Sequence, residues 1–245
     1  MHVRGGKADQ NLVLFDGFTI YHIDHVYGIF DAINADAVKH IRLYKGGFPA
    51  RYGDRSSSVI DITGKKGNQK KFSASAGLDF MSARGKVETP LGKQQTALLT
   101  FRHSFTEWLQ KDLYNDLLNT YYRSESRNRR QMEDIAERVD LSPRVRFYDV
   151  NAKLSHQSEK LGQLSISAFS GYDRLDIQES TEEDLRAYDL QETSSWGNTG
   201  IAGQWSHPWN ARHKTSLKTA FSRYQGSSSF REAFLFGQGR NNREI

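Results

Sequence analysis

The chain has 245 residues, no cysteine and a formal net charge of +5, with a pI near 9.3. Without cysteine there are no disulfides, no thiolate zinc sites and no cysteine nucleophile, and a basic excess this small and this spread gives little support to nucleic-acid binding. Mean hydropathy is −0.70 while aromatics reach 12%, and no apolar run approaches the roughly 18 residues of a membrane-crossing helix. A polar average with many aromatics suits strands that have one apolar and one wet face, in a transmembrane β-barrel or a soluble β-rich protein.

The opening "MHVRGGKADQ" has no basic region followed by an apolar stretch, so no signal peptide is visible. The closing "FLFGQGRNNREI" has no clear final element, and both ends read as truncated. Next comes "NLVLFDGFTIY", which predicts a strand, a turn at Asp16-Gly17 and a second strand. Asn34 is a suitable N-cap for a short helix or turn reaching Val38, followed by a strand from His40 to Tyr44 that ends in Gly46-Gly47. "SSSVIDIT" is a further strand. Residues 1–70 thus read as a small α+β unit dense in glycine.

From Lys71 the period becomes two. Phe72, Ala74, Ala76, Leu78 and Phe80 alternate with polar or small residues, as do Ala83, Gly85 and Val87. Ala97, Leu99 and Phe101 oppose Leu98, Thr100 and Arg102, and Tyr148, Val150, Ala152 and Leu154 oppose Asp149, Asn151, Lys153 and Ser155. Leu164, Ile166 and Ala168 oppose Ser165 and Ser167, and "WGNTGIAGQWSHPW" and "HKTSLKTAFSRYQ" continue the pattern. About seven antiparallel strands of roughly 9 to 11 residues follow, the length that crosses a bilayer at a tilt. Their connections alternate between short turns ("PLGKQQ", "QSEKLG", "PWNARH") and longer polar stretches, Thr106 to Arg144 and Arg174 to Glu192. That asymmetry is the mark of an outer-membrane barrel, with Trp196, Trp205 and Trp209 placed as an interfacial girdle. An open sheet leaves unpaired edges in lipid, so seven strands are expected to be only part of such a barrel.

The N-terminal residues resemble the second half of the plug domain of TonB-dependent outer-membrane receptors, in the form common in Bacteroidota. The resemblance rests on Arg4-Gly5-Gly6, Leu14 to Gly17, His25 with Gly28, the run from Tyr44 through Lys45, Gly46, Gly47, Phe48, Pro49, Ala50, Arg51 and Tyr52 to Gly53, and Ser56 to Val59. "VETPLGKQQTALLTFRHSF" is similar to the barrel hairpins that follow such plugs. The resemblance implies a plugged barrel of about 22 strands in the bacterial outer membrane, with residues 1–70 as plug and 71–245 as the first barrel strands carrying a long extracellular loop at about 106–144. It also implies active uptake of a scarce nutrient (iron chelate, cobalamin or glycan), driven by the TonB energy-coupling complex, whose docking motif is not seen in this sequence. Outer-membrane lipid and the extracellular ligand are the other implied partners; no nucleic acid, cofactor or metal is implied. Two other readings stand beside it: a soluble or surface glycan-binding β-module, and the remnant of a truncated gene.

Candidate site residues fall in two groups. Arg4, Asp16, Lys45, Arg51 and Arg55 form either a plug-to-barrel ion-pair network or ordinary solvated charges; Gly5, Gly6, Gly17, Gly46, Gly47, Pro49, Tyr52 and Gly53 complete the plug motif. "YHIDH" offers Tyr21, His22, Asp24 and His25 as ligand contacts, with His22 and Asp24 on one face and His25 on the other, where a packed structural role competes. "RSESRNRRQMEDIAERVD", residues 123–140, reads as a solvated helix or a basic patch, and "STEEDLRAYD", residues 180–189, as a capping-box helix start. No nucleotide loop, nucleophile elbow or zinc-peptidase motif is present, so no enzyme is expected.

Overall fold

The computed structural model describes residues 10–25, 28, 30–53, 55–79, 81–105, 144–183, 186–236 and 239–244. The N-terminal unit contains β1 (Asn11–Phe15), β2 (Phe18–Thr19), β3 (Asp24–His25), β4 (Phe30–Asp31), β5 (Val38–Lys45) and β6 (Ser58–Gly64). Asp16 and Gly17 both have positive φ, 48° and 104°. Such a turn matches the twist of a tight hairpin and favours Asp-Gly. It joins β1 to β2, while β6 lies parallel to β1 and antiparallel to β5, giving the order β2-β1-β6-β5. The expected short helix is a three-residue 3-10 turn, Ala35–Ala37, capped by the Asn34 side chain accepting from the Asp36 amide at 2.9 Å. No α-helix occurs among the described residues.

Eight strands form one antiparallel meander in chain order: β7 (Ser73–Leu78), β8 (Ser82–Pro90), β9 (Gln95–Ser104), β10 (Arg144–Ser158), β11 (Gly162–Glu183), β12 (Arg186–Pro208), β13 (Lys214–Phe236) and β14 (Gly239–Glu244). The sheet does not close on itself within this chain. All three short turns fall where expected. The stretch from Arg174 to Glu192 is a correction: β11 and β12 run through it, paired residue by residue up to Glu183 and Arg186. These strands reach 22 and 23 residues, against the expected 9 to 11, and Ser180–Glu183 and Arg186–Asp189 are strand rather than the start of a helix. The expected long connection and the 123–140 stretch lie outside the described residues.

The two faces of the sheet divide by polarity. One presents Thr100, Asp149, Asn151, Lys153, Ser167, Asp173 and Asn198, all buried. The other exposes Leu99, Phe101, Leu154, Leu164, Ile166, Ile201, Leu217 and Phe221. Register aligns Val87, Leu99, Ala152, Ala168, Ile201 and Phe221 in one continuous row across six strands. One end of the apolar band carries Trp205, His207 and Trp209 in mutual ring contact beside the short turns. The other carries stacked Tyr148 and Tyr172 with centroids 5.9 Å apart. Beyond those tyrosines the outer face becomes ionic, with Arg146 and Arg174 both on Asp176. Trp196 is a second correction: it faces inward, in a cluster with Met81, Val145, Phe147, Leu175 and Ile177.

The N-terminal unit covers the polar face. Val13, Phe15, Phe18, Ile20, Ala37 and Ile62 pack with Phe169 and Ala202 of the sheet. Phe18 is fully buried over Gly200, where an added Cβ would run into the ring. In G200V the overpacking should cost about 1–3 kcal/mol. Hydrogen exchange should then rise at Phe18–Ile20 and stay unchanged in β9 and β10; a uniform rise would contradict this packing account.

Candidate functional site

Asp16 leaves the tight turn pointing into the sheet. Its Oδ2 accepts from Lys153 Nζ at 2.7 Å and from Ser167 Oγ at 2.7 Å, and its Oδ1 from the Gly64 amide at 3.1 Å. Lys153 also donates to the Gly64 carbonyl at 3.2 Å. A Cβ on Gly64 would fall 2.7 Å from Asp16 Oδ2, so glycine leaves the carboxylate its room. Both charges are buried, and pairing with full hydrogen bonding is what makes such burial tolerable.

His25 anchors a second crossing. Its Nδ1 donates to Asp173 Oδ2 at 2.7 Å, and Nε2 faces Asp149 Oδ2 at 3.6 Å. The ring stacks on Phe147 at 4.6 Å. Arg102 donates from Nε to Asp149 at 2.6 Å and from its terminal nitrogen to the Asp31 carbonyl at 2.5 Å. Two carboxylates and one guanidinium are balanced when His25 is protonated. Burial pushes the imidazole pKa down, but the facing carboxylates of Asp149 and Asp173 outweigh it, and the net shift is upward.

Between these crossings the irregular backbone is held by wall side chains. Asn198 Oδ1 accepts from the Tyr21 and His22 amides at 3.0 and 3.2 Å, while its Nδ2 donates to the His22 carbonyl at 2.8 Å. Ser222 Oγ accepts from the Thr19 amide at 2.8 Å. Tyr21 is half exposed against Tyr224, and His22 Nε2 lies 3.2 Å from Asp24 Oδ1 beside Trp196. Tyr21, His22 and Asp24 thus share an accessible patch, and His25 is buried apart from it.

The other motif residues stay within the N-terminal unit. Gly46 and Gly47 turn the chain after β5 with φ of 74° and 60°, and Tyr52 closes on Pro49 through a backbone hydrogen bond of 3.0 Å, just before Gly53. Arg51 lies over the Tyr52 ring at 4.9 Å and donates to its hydroxyl at 3.2 Å. Tyr52 in turn donates to Asp61 at 2.7 Å; burial and that carboxylate push its phenol up to about 12. Lys45 ends β5 exposed, Arg55 is half-buried ahead of β6, and Arg4, Gly5 and Gly6 lie outside the described residues. Sequence reasoning proposed Asp16 but missed its partners Lys153 and Ser167, and missed Asp149, Asp173, Arg102 and Asn198 altogether. The available signal was polar residues on the face opposite the apolar rows. Among the described residues no cluster fits a metal ion.

Residues 1–60 match the family model described as TonB-dependent Receptor Plug Domain. The N-terminal unit is thus similar to such a plug. No curated protein matches the chain. Among solved structures, the siderophore receptor PirA from Acinetobacter baumannii is similar, with 14% identity and a TM-score of 0.43 over 94% of this chain and 41% of that one. The ferric enterobactin receptor PfeA, solved in complex with BCV-L6, is similar at 11% identity and a TM-score of 0.37 over 92% of this chain and 47% of that one. The chain therefore spans less than half the length of these receptors.

Two predictions follow from the plug's crossings. D16N leaves Lys153 buried without a counter-charge and should cost roughly 3–5 kcal/mol of plug docking, whereas D16N/K153M should recover most of it; protease protection of the plug compares them. His25 has a folded pKa above its unfolded value of about 6.5. Its contribution is full below the unfolded value and lost as pH rises through the folded one. Plug protection should therefore weaken on alkalinisation in the native protein and lose that dependence in H25Q.

Proposed function

We propose that the chain is part of a bacterial outer-membrane receptor for active uptake of a scarce nutrient, with residues 1–70 as plug and 71–245 as barrel wall. One observation carries the reading. The sheet buries its polar face under the plug and exposes its apolar face, the reverse of a soluble sheet and the arrangement that hydrocarbon demands. A soluble glycan-binding module would need a second layer over the row from Val87 to Phe221, and none of the described elements covers it.

In this reading the short turns face the periplasm, and β11 to β13 rise past the Tyr148–Tyr172 level as a polar outer extension. Tyr21, His22 and Asp24 meet cargo (an iron chelate, cobalamin or a glycan), while His25 and Asp16 hold the plug until force from the TonB complex, fed by the proton gradient, displaces it. The work is mechanical: a plug held by polar contacts is an element with two arrangements, biased by ligand and by pulling. No bond of the cargo is made or broken.

L154R places a cation in the middle of the apolar band and should cost about 2–4 kcal/mol of folding into bilayers, measured by urea titration in vesicles. L161R, at a short turn, should cost far less. Cell fractionation should recover the receptor with outer membranes, and uptake of labelled iron chelate, cobalamin or glycan should stop when a protonophore collapses the gradient. Cytosolic recovery, or equal costs for L154R and L161R, would remove the reading.

A further inference from the structure

The short-turn end of the wall has a chemistry that nutrient uptake does not use. Each turn pairs an exposed apolar side chain with a cation: Leu91 with Lys93, Leu161 with Lys160, and Trp209 with Arg212 and Lys214. The linker from plug to wall adds four lysines between residues 65 and 71, followed by exposed Phe72. Contacts hold these segments at one end. Lys66 Nζ donates to Gln163 at 3.1 Å, Thr96 Oγ1 donates to the Lys66 carbonyl, and Trp205 Nε1 donates to the Leu161 carbonyl at 2.8 Å. The Gln157 amide donates to the Gln94 carbonyl at 2.9 Å. Across the linker and the three turns, Glu159 is the sole carboxylate. At the opposite edge of the apolar band Arg146 and Arg174 share Asp176, an ion-paired arrangement unlike the turns, where lysine and arginine stand next to exposed apolar side chains.

Leu91, Leu161, Phe72 and Trp209 sit at the margin of the apolar band, and the cations lie within side-chain reach of them. Apolar stems in the acyl margin with ammonium and guanidinium groups in the headgroup layer match the way long basic side chains occupy a membrane interface. Clustered cations at that depth favour anionic over zwitterionic lipid. An acidic peptide would satisfy the charges but leave the apolar side chains uncovered.

We propose that this rim is a binding surface for the headgroups of anionic glycerophospholipids. The inference rests on the barrel reading and adds a lipid preference to it. In the apposed leaflet, phosphodiester oxygens accept from Lys93, Lys160, Arg212 and Lys214 while Trp209 and the leucines lie among the first acyl carbons.

The test uses the receptor that contains this chain, in nanodiscs of equimolar phosphatidylglycerol and phosphatidylcholine, with brominated acyl chains on one lipid or the other. Tryptophan quenching should be roughly two- to five-fold stronger when bromine is on phosphatidylglycerol. The ratio should fall to about one in K93Q/K160Q/R212Q/K214Q and also at high salt, where the headgroup attraction is screened. Equal quenching by both lipids in the native protein, or a preference that the fourfold variant retains, overturns the proposal alone. No quenching by either lipid overturns the barrel reading and this proposal with it.

Discussion

The sheet has its polar face inside, and the rest of the structure depends on that inversion. Buried Asp149, Asp173, Lys153 and Asn198 would be costly against an apolar layer, because a charge or amide taken from water needs partners. The plug supplies them one by one: Asp16 for Lys153, His25 for the two carboxylates, and the Tyr21 and His22 backbone for Asn198. The dependence runs both ways. At Tyr21 and His22 the plug has no strand of its own, so those backbone groups take a wall side chain as partner. Neither part is a complete solution without the other.

An interface of this kind fixes position more than it adds strength. Buried ion pairs roughly repay their own desolvation, yet removing one partner is expensive. That combination specifies one register and penalises small slips. The apolar share of the contact, Val13, Phe15, Phe18, Ile20, Ala37 and Ile62 against Phe169 and Ala202 and Phe30 against Phe147, supplies the non-directional part.

Much of the wall was legible because strands with one apolar and one polar face must alternate. Ala97, Leu99 and Phe101 stand out from Leu98, Thr100 and Arg102 on period alone, and all lie on the expected faces. Asp16-Gly17 and Asn34 were legible from local backbone preference. The reading failed where the outer face stops being apolar. Past Tyr172 the pattern inverts, with Leu175 and Ile177 inside and Arg174 and Asp176 outside, so the outward apolar signal ends and strand reads as loop. The same early ending placed Trp196 at a strand tip, when it lies inside β12 facing the plug. The partners of Asp16 and His25 were illegible for another reason. Lys153 is 137 residues from Asp16 and Asp173 is 148 from His25, and no local preference encodes a pairing that only the register of several strands brings about.

The spacing within Tyr21–His25 couples the accessible patch to the buried anchor. A chain advances about 3.3 Å per residue when extended, so Asp24 cannot move by more than a few ångströms without drawing on His25. His25 is fixed by Asp173, Asp149 and the Phe147 ring, and Asp149 in turn by Arg102. Upstream, Asn198 grips the backbone at Tyr21 and His22 from both its amide atoms. Displacement of the patch is thereby shared between an amide clamp and an ionic one, both rooted in the wall. The exposed residues and the buried anchors are therefore one mechanical element, confined to a segment of five residues.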